Sequence, residues 1–215
     1  MIIEKISIDI DREEVMRLLG RIDSEAGEID ARVVRAVDRG IEEAGRLCEP
    51  KGIYVVARGK DLPGVGIFDD LERMAFCVCT IGSRLEDKVT SLTTEGRLLD
   101  AVILDSAGSA AAEATARYMD ELIAEEASKT GLKTSCRASP GYGDWDIREQ
   151  KGLFSLVDGG KIGVSLSESC MMKPRKSVSF AKHIDKKPHR LRSENSCRNC
   201  DIDICPYRIS DIQPE

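Results

Sequence analysis

Residues 137–142 read Arg-Ala-Ser-Pro-Gly-Tyr, and residues 167–179 read Ser-Glu-Ser-Cys-Met-Met-Lys-Pro-Arg-Lys-Ser-Val-Ser. In the first segment Pro140 fixes φ, and Gly141 supplies a backbone conformation that other residues reach only with strain. The segment therefore predicts a stiff turn that carries Arg137 and Tyr142. A guanidinium can donate two parallel hydrogen bonds to a carboxylate, and a tyrosine offers a ring face and a hydroxyl. Such a turn suits a small zwitterionic ligand, and a purely structural turn is the alternative.

Hydrophobic periodicity outside these segments predicts a mixture of strands and helices. The predicted strands are residues 4–10, 52–58, 74–81, 162–167 and 177–180. The predicted helices are a short one from Asp11 to Gly20, residues 30–48, a helix opened by a capping box at Ser83–Glu86, residues 96–129, and residues 146–157. Because the order has no regular βαβ rhythm, it favours an α+β fold over a doubly wound sheet.

The composition excludes several classes of partner. The chain has 215 residues, of which 41% are hydrophobic and 33% charged, and its formal net charge is −6. Neither this charge nor the 4% aromatic content favours nucleic-acid binding. No apolar run approaches the roughly 20 residues that span a bilayer, and the N-terminus does not resemble a signal peptide. The sequence therefore predicts a cytoplasmic protein.

Eight cysteines are many for a cytoplasmic chain. In a reducing compartment, clustered cysteines indicate metal or redox chemistry rather than disulfides. Cys77 and Cys79 alternate within an apolar strand, so both are expected on one buried face. Cys48, at the end of a helix, is expected to pack.

The last cysteines form the candidate metal site, Cys197-Arg-Asn-Cys200-Asp-Ile-Asp-Ile-Cys205-Pro. The spacing is typical of iron–sulfur ligands, with a fourth ligand from Cys170, Cys136, a small molecule or another chain. Zinc is the second interpretation, with His183 or His189 completing a tetrahedral site, and free or disulfide-forming thiols are the third. The basic run 173–192 that precedes this motif is interpreted as a solvated linker or a dock for an acidic partner.

Both quoted segments resemble the activation domain of vitamin B12-dependent methionine synthase. In that family, Arg-x-x-Pro-Gly-Tyr belongs to the S-adenosylmethionine site. A stretch Leu-(Thr/Ser)-Glu-Ser-x-x-Met-x-Pro-x-x-Ser-Val-Ser follows at similar spacing, here from Leu166 to Ser179. The resemblance is clearest over residues 80–180, fainter over 1–80 and absent from the last thirty residues. It implies a twisted antiparallel sheet flanked by helices.

The resemblance also implies a set of residues that bind S-adenosylmethionine. The family has an Ala-Glu-Ala segment on its long helix, which Glu113 matches, and the hypothesis is that Glu113 faces the ligand's ammonium while Arg137 takes its carboxylate. The full set of predicted ligand-binding residues is Glu113, Arg137, Ala138, Ser139, Pro140, Gly141, Tyr142, Ser177 and Ser179.

The chain departs from the family pattern after Tyr142. The large enzymes continue with Pro-Ala-Cys-Pro and then His, facing the corrinoid, whereas this chain has Gly143-Asp144-Trp145-Asp146. Trp145 is interpreted either as a different contact surface or as a core residue. Phe180 stands where the family usually has glycine, which could narrow the site. No B12-binding signature Asp-x-His-x-x-Gly is present, so the resemblance implies that the corrinoid is carried by another chain.

These expectations define a predicted function. Residues 1–182 would bind S-adenosylmethionine, and residues 183–215 would be a basic linker and cysteine-rich tail. The chain would be an activation subunit that reductively remethylates an oxidised corrinoid in a separate B12-dependent methionine synthase or corrinoid methyltransferase. An electron donor such as flavodoxin or ferredoxin would be a further partner. The alternative is a non-catalytic module that senses S-adenosylmethionine or docks to a partner, with a structural zinc tail.

Overall fold

An antiparallel sheet of five strands forms the centre of the computed structural model, which describes residues 1–20, 31–189 and 191. Its spatial order is β1-β2-β3-β7-β4, and β5 and β6 form a separate antiparallel pair. The strands are β1 (Ile2–Ile3), β2 (Lys51–Ala57), β3 (Met74–Thr80), β4 (Lys133–Thr134), β5 (Ser165–Leu166), β6 (Met172–Lys173) and β7 (Ser177–Asp185).

Five α-helices accompany the sheet in the described part of the chain. They are α1 (Arg12–Leu18), α2 (Ala31–Leu47), α3 (Arg84–Thr94), α4 (Leu98–Ser128) and α5 (Gln150–Leu156). As predicted, Asp11 caps α1 by accepting a hydrogen bond from the Glu13 N–H at 2.9 Å. Short 3₁₀ helices occupy Gly59–Asp61, Gly66–Phe68, Ile147–Glu149 and Gly159–Ile162. The predicted α+β fold is confirmed.

The central strands β3 and β7 are covered on both faces. Every residue of β3 is buried, and Met74–Thr80 pairs with Ser177–His183 of β7. On one face Cys77, Cys79 and Phe180 pack against Ala116 and Met119 of α4. The opposite face packs against a second layer that contains Phe68, Trp145 and Leu153. Since side chains of a strand alternate between faces, neighbouring residues of β7 belong to different cores.

The small side chains of α4 allow close packing. The segment from Ser106 to Ala116 is largely buried, and α4 packs against α2, α3 and the sheet. A Cβ atom at Gly108 would lie 2.6 Å from Leu85 Cδ2, so α3 approaches α4 at this glycine. The 31-residue helix contacts β2, β3, β4 and β7, and it positions polar residues beside β7.

Two local predictions near the start of the chain and of α3 are wrong. The strand predicted at 4–10 is absent, and the strand present is Ile2–Ile3; Ile6 and Ile10 are nevertheless buried, so their alternation reflects packing without a ladder. The capping box predicted at Ser83–Glu86 is also absent, because the Ser83 side chain makes no capping bond. The Glu86 carboxylate instead accepts a hydrogen bond from the Lys176 N–H at 2.7 Å.

The basic run 173–192 is a further correction. Residues 177–185 form β7, and Lys182 is buried, so this part of the run is not a solvated linker. The strand also crosses the predicted boundary between residues 182 and 183, and the division into two parts stays a prediction. The helix predicted at 146–157 begins as a 3₁₀ turn before α5, and the strand predicted at 162–167 is reduced to β5.

None of the helices within the described ranges is both long enough and apolar enough to cross a membrane.

Candidate functional site

The Arg-Ala-Ser-Pro-Gly-Tyr segment folds into the predicted turn. Ala138 bridges to Ala181 of β7 by two backbone hydrogen bonds of 2.9 and 2.7 Å, so the turn begins on the sheet. Gly141 has φ +91°, a conformation that favours glycine, and its N–H donates to the Trp145 carbonyl at 2.7 Å. The backbone on either side of Tyr142 is therefore fixed.

Arg137 lies between this turn and α4. Its Nη2 pairs with Glu113 Oε1, and its Nε lies 3.9 Å from Asp120 Oδ2. The guanidinium carbon is 5.7 Å from the centroid of the Phe180 ring, a contact that adds cation–π attraction. Thus the structure brings together Arg137 and Glu113, two of the predicted ligand-binding residues, and places Phe180 beneath the guanidinium.

Two residues that the sequence prediction missed extend this cluster. Lys182 of β7 is buried, and its Nζ pairs with Asp120 Oδ1. We call Glu113, Arg137, Asp120 and Lys182 the charge quartet; it contains two carboxylates and two cations. A signal for Asp120 was present, since a residue seven positions after Glu113 lies on the same helix face. Lys182 lies two residues after Phe180 on the same face of β7, but it belongs to the basic run 173–192, which the sequence favours as a solvated linker or a dock.

The carboxylates of the quartet keep Arg137 charged. Burial alone would lower the pKa of Arg137, but Glu113 and Asp120 outweigh that effect and raise it above its ordinary value. A guanidinium that is only 19% exposed and has carboxylates on two sides is held in one orientation. Its planar fork can then present fixed donors to a ligand carboxylate.

The other residues of the turn are unequally exposed. The side chains of Ala138, Ser139 and Pro140 are buried, whereas Tyr142 is 55% exposed. Gly141, also exposed, has the Ile147 side chain beside it. The Tyr142 side chain is therefore accessible to a ligand, whereas residues 138–140 offer their backbone rather than their side chains.

Ser177 and Ser179 lie on the face of β7 opposite the charge quartet. The Ser177 hydroxyl donates to Thr80 Oγ1 at 2.8 Å, and the Ser179 hydroxyl donates to Gln150 Oε1 at 2.8 Å. Within the described residues, the outer edge of β7 is paired by β4 and the Ala138–Ala181 bridge, and no strand continues this pairing past Ser179. The backbone of Ser179 at this edge could therefore contact a ligand. The predicted ligand-binding role of Ser179 stays a prediction.

Comparison with known proteins assigns the fold and the family. The sequence profile described as "Vitamin B12 dependent methionine synthase, activation domain" matches residues 68–188, more than half of the chain. The chain belongs to this family. A solved structure described as "Crystal Structure of the MetH Reactivation Domain bound to AdoHcy" is similar with a TM-score of 0.55. The two are 15% identical, over 89% of this chain and 80% of the other, so the likeness concerns the fold. A comparison with curated proteins found no match.

Trp145 does not form an exposed contact surface in this activation domain. It is fully buried and meets Phe68 edge-on, with ring centroids 4.9 Å apart. The interpretation of Trp145 as a different surface for the corrinoid partner is therefore wrong, and the core interpretation is confirmed. Its apolar ring closes the second layer behind the turn, which explains why a large aromatic residue stands there.

A cavity of about 620 Å³ lies away from the charge quartet. Its lining includes Asp70, Glu72 and Asp144 together with His183 and His189. The two imidazoles stack with centroids 5.5 Å apart, and His183 Nδ1 accepts a hydrogen bond from the His189 N–H at 2.9 Å. None of the predicted ligand-binding residues lines this cavity.

The predicted metal site lies outside the described residues, because Cys197, Cys200 and Cys205 all belong to the undescribed part of the activation-domain chain. Among residues 1–20, 31–189 and 191, no group of three or more His, Cys, Asp or Glu side chains is arranged to hold a metal ion. The iron–sulfur and zinc interpretations stay predictions.

Cys77 and Cys79 are buried in the core as predicted, and burial raises the pKa of Cys48 to about 12, consistent with a packing role.

Proposed function

We propose that this chain binds S-adenosylmethionine beside Arg137 and serves the reductive remethylation of an oxidised corrinoid carried by a separate protein. The observation that carries the proposal is the ion pair between Arg137, at the start of the fixed turn, and Glu113 of α4, in a member of the activation-domain family. The solved reactivation domain of similar fold is described as bound to AdoHcy, which is what S-adenosylmethionine becomes when it gives up its methyl group.

The charges of the pair match the amino-acid end of the ligand. An α-amino acid carries its carboxylate and ammonium on one carbon, so its binding site needs a cation and an anion close together. Arg137 and Glu113 supply these charges in direct contact. We infer that the ligand carboxylate pairs with Arg137 and the ammonium with Glu113, while Tyr142 and the backbone of residues 138–141 lie within reach of the rest of the ligand.

The reaction assigns these residues to binding and orientation. Remethylation adds one electron and one methyl cation to the oxidised corrinoid, and the sulfonium sulfur keeps the electron pair of the broken bond and becomes a thioether. No proton moves, so no general base is required of this chain. Holding the methyl group in line with the acceptor is the contribution expected from the protein. The electron would come from a donor such as flavodoxin or ferredoxin.

Calorimetric titration with S-adenosylmethionine tests the ligand assignment. Arg137→Ala should weaken binding about 10- to 150-fold, since a hydrogen bond to a charged group contributes roughly 1.5–3 kcal/mol. Arg46→Ala is the matched control, because Arg46 is an exposed arginine of α2 that pairs with Glu42 and Glu43 of the same helix, and it should bind as the unchanged protein does. Equal binding by both variants would contradict the role of Arg137.

A second measurement separates reactivation from sensing. S-adenosylmethionine labelled in its methyl group, a chemical reductant and an oxidised corrinoid protein would be incubated with the unchanged chain or with Arg137→Ala. Transfer of label that depends on the chain and is lost in the variant supports reactivation. Binding without transfer to any corrinoid protein tested would favour the alternative, a sensing or docking module.

A further inference from the structure

Asp120 is tied to the sheet more firmly than Glu113. Its carboxylate pairs with Lys182 Nζ and also lies beside Arg137 Nε. The Lys182 side chain is only 5% exposed, and it projects from β7, a strand paired along its length with β3. Moving Asp120 would therefore leave a buried ammonium without its partner, which costs more free energy than moving an exposed charge.

Glu113 differs in both exposure and number of partners. Its side chain is 41% exposed, against 28% for Asp120. Within the described residues, Arg137 is the partner of its carboxylate. Breaking one partly solvated ion pair costs little when a new one replaces it. Glu113 is thus able to exchange partners, and Asp120 is not.

We propose that Asp120, fixed by Lys182, is the permanent counterion that positions Arg137, and that Glu113 is the exchangeable one. When the ligand binds, its carboxylate takes the place of Glu113 at the guanidinium, and Glu113 receives the ammonium. This inference rests on the proposed function and deepens it, because it adds two positioning residues to the site.

The charge balance indicates which end groups the site accepts. The quartet is formally neutral, and it stays neutral when a zwitterion binds. Each charge of the zwitterion then has a protein partner of opposite sign. A ligand with a carboxylate but no ammonium would displace Glu113 from Arg137 and leave the Glu113 carboxylate unpaired. The site should therefore select against carboxylates that lack the amino group.

The test is calorimetric titration of Asp120→Asn with two ligands, S-adenosylmethionine and 5′-methylthioadenosine, which lacks the amino-acid end. Asn is close in shape but carries no charge. We expect affinity for S-adenosylmethionine to fall about tenfold and affinity for 5′-methylthioadenosine to be unchanged. Glu121→Gln is the matched control, since this exposed neighbour on α4 loses the same charge, and it should change neither affinity.

Two double variants separate positioning from folding. In Arg137→Ala, adding Asp120→Asn should cause no further loss of S-adenosylmethionine affinity, because Asp120 acts through Arg137. In Asp120→Asn with Lys182→Met, no buried ammonium remains, so the melting temperature should recover while the tenfold loss of affinity persists.

The outcomes are distinguishable. Recovery of both stability and S-adenosylmethionine affinity in the Asp120→Asn, Lys182→Met protein would overturn the inference, since the pair would then be purely structural. A further loss of affinity when Asp120→Asn is added to Arg137→Ala would also overturn it. Failure of the unchanged protein to bind S-adenosylmethionine would overturn the proposed function and this inference together.

Discussion

The two faces of β7 bury polar groups in opposite ways. On the α4 face, Lys182 is buried as a cation and paired with the Asp120 carboxylate. On the other face, the adjacent His183 is buried, and its Nδ1 accepts a backbone hydrogen bond. The α4 face therefore pairs a buried cation with a carboxylate, and the opposite face pairs neutral polar groups with neutral hydrogen-bond partners. Neighbouring residues of β7 can thus have separate roles, because alternate positions of a strand belong to separate layers.

The largest expected effect on stability comes from the second layer, which contains Phe68, Trp145 and Leu153. Trp145→Ala should lower the free energy of unfolding by about 3–5 kcal/mol, since it removes a fully buried ring and leaves a cavity beside Phe68. Urea denaturation followed by circular dichroism measures the loss. If the layers have separate roles, the affinity for S-adenosylmethionine, measured where the variant is still folded, should fall less than in Arg137→Ala.

Trp145→Phe is the matched control. It keeps an aromatic contact with Phe68 and removes the Trp145 Nε1–H, a buried donor with no hydrogen-bond partner among the described residues. We expect a clearly smaller loss of stability than for Trp145→Ala. Equal losses for the two variants would mean that shape, rather than buried area, governs this position.

Sequence reasoning predicted most of the fold because long periodic segments carry their own signal. The helix α4 and strands β2 and β3 follow directly from apolar spacing, and Cys77 and Cys79 from alternation. It failed where a distant residue decides the outcome. Glu86 has the spacing of a capping box, but its carboxylate accepts a hydrogen bond from the backbone N–H of Lys176, ninety positions later. Pattern within a short window cannot detect such a partner.

The candidate site was predictable in part for the same reason. The Arg137 turn has a local signature, whereas the role of Glu113 is implied by the resemblance to the family's Ala-Glu-Ala segment. The spacing of Asp120 from Glu113 places both on one helix face, but the pairing of Asp120 with Lys182 has no local signature, since it depends on where α4 crosses β7. Lys182 also lies in a basic run, and a lysine is rarely buried unless it is paired. Its role emerges only when the sheet order is known.

The second prediction separates stability from ligand affinity at Ser179. Ser179→Ala should leave the Gln150 Oε1 atom without its 2.8 Å donor in a buried site, which costs about 1–3 kcal/mol of unfolding free energy. Urea denaturation measures the loss, and calorimetry with S-adenosylmethionine measures affinity. The edge backbone is unchanged, so affinity should be nearly retained. A large loss of affinity with normal stability would instead mean that the Ser179 hydroxyl contacts the ligand.

The smallest effect concerns pH and separates His183 from Lys182. Burial lowers the pKa of His183 below its ordinary value, although Asp185 opposes this, and the lone pair of Nδ1 is already taken by the His189 N–H. In the unfolded chain the pKa returns to about 6.5. The unfolded state therefore binds the proton more readily, so this contribution to stability is full above that value and is lost as pH falls towards the folded pKa.

Urea denaturation at a series of pH values from 7.5 to 5 checks this sign, with each variant compared with the unchanged protein. His183→Gln should reduce the loss of stability on acidification. His189→Gln keeps the backbone N–H that donates to His183 but removes the stacked imidazole, whose charge also lowers the pKa of His183, so it should reduce the pH dependence less than His183→Gln does. Lys182 lies on the opposite face of β7 and is paired with the Asp120 carboxylate, so Lys182→Met should leave the slope unchanged over the same interval. A slope that followed Lys182 rather than His183 would reverse the assignment of charged and neutral faces, because it would place the titrating group on the α4 side of the strand.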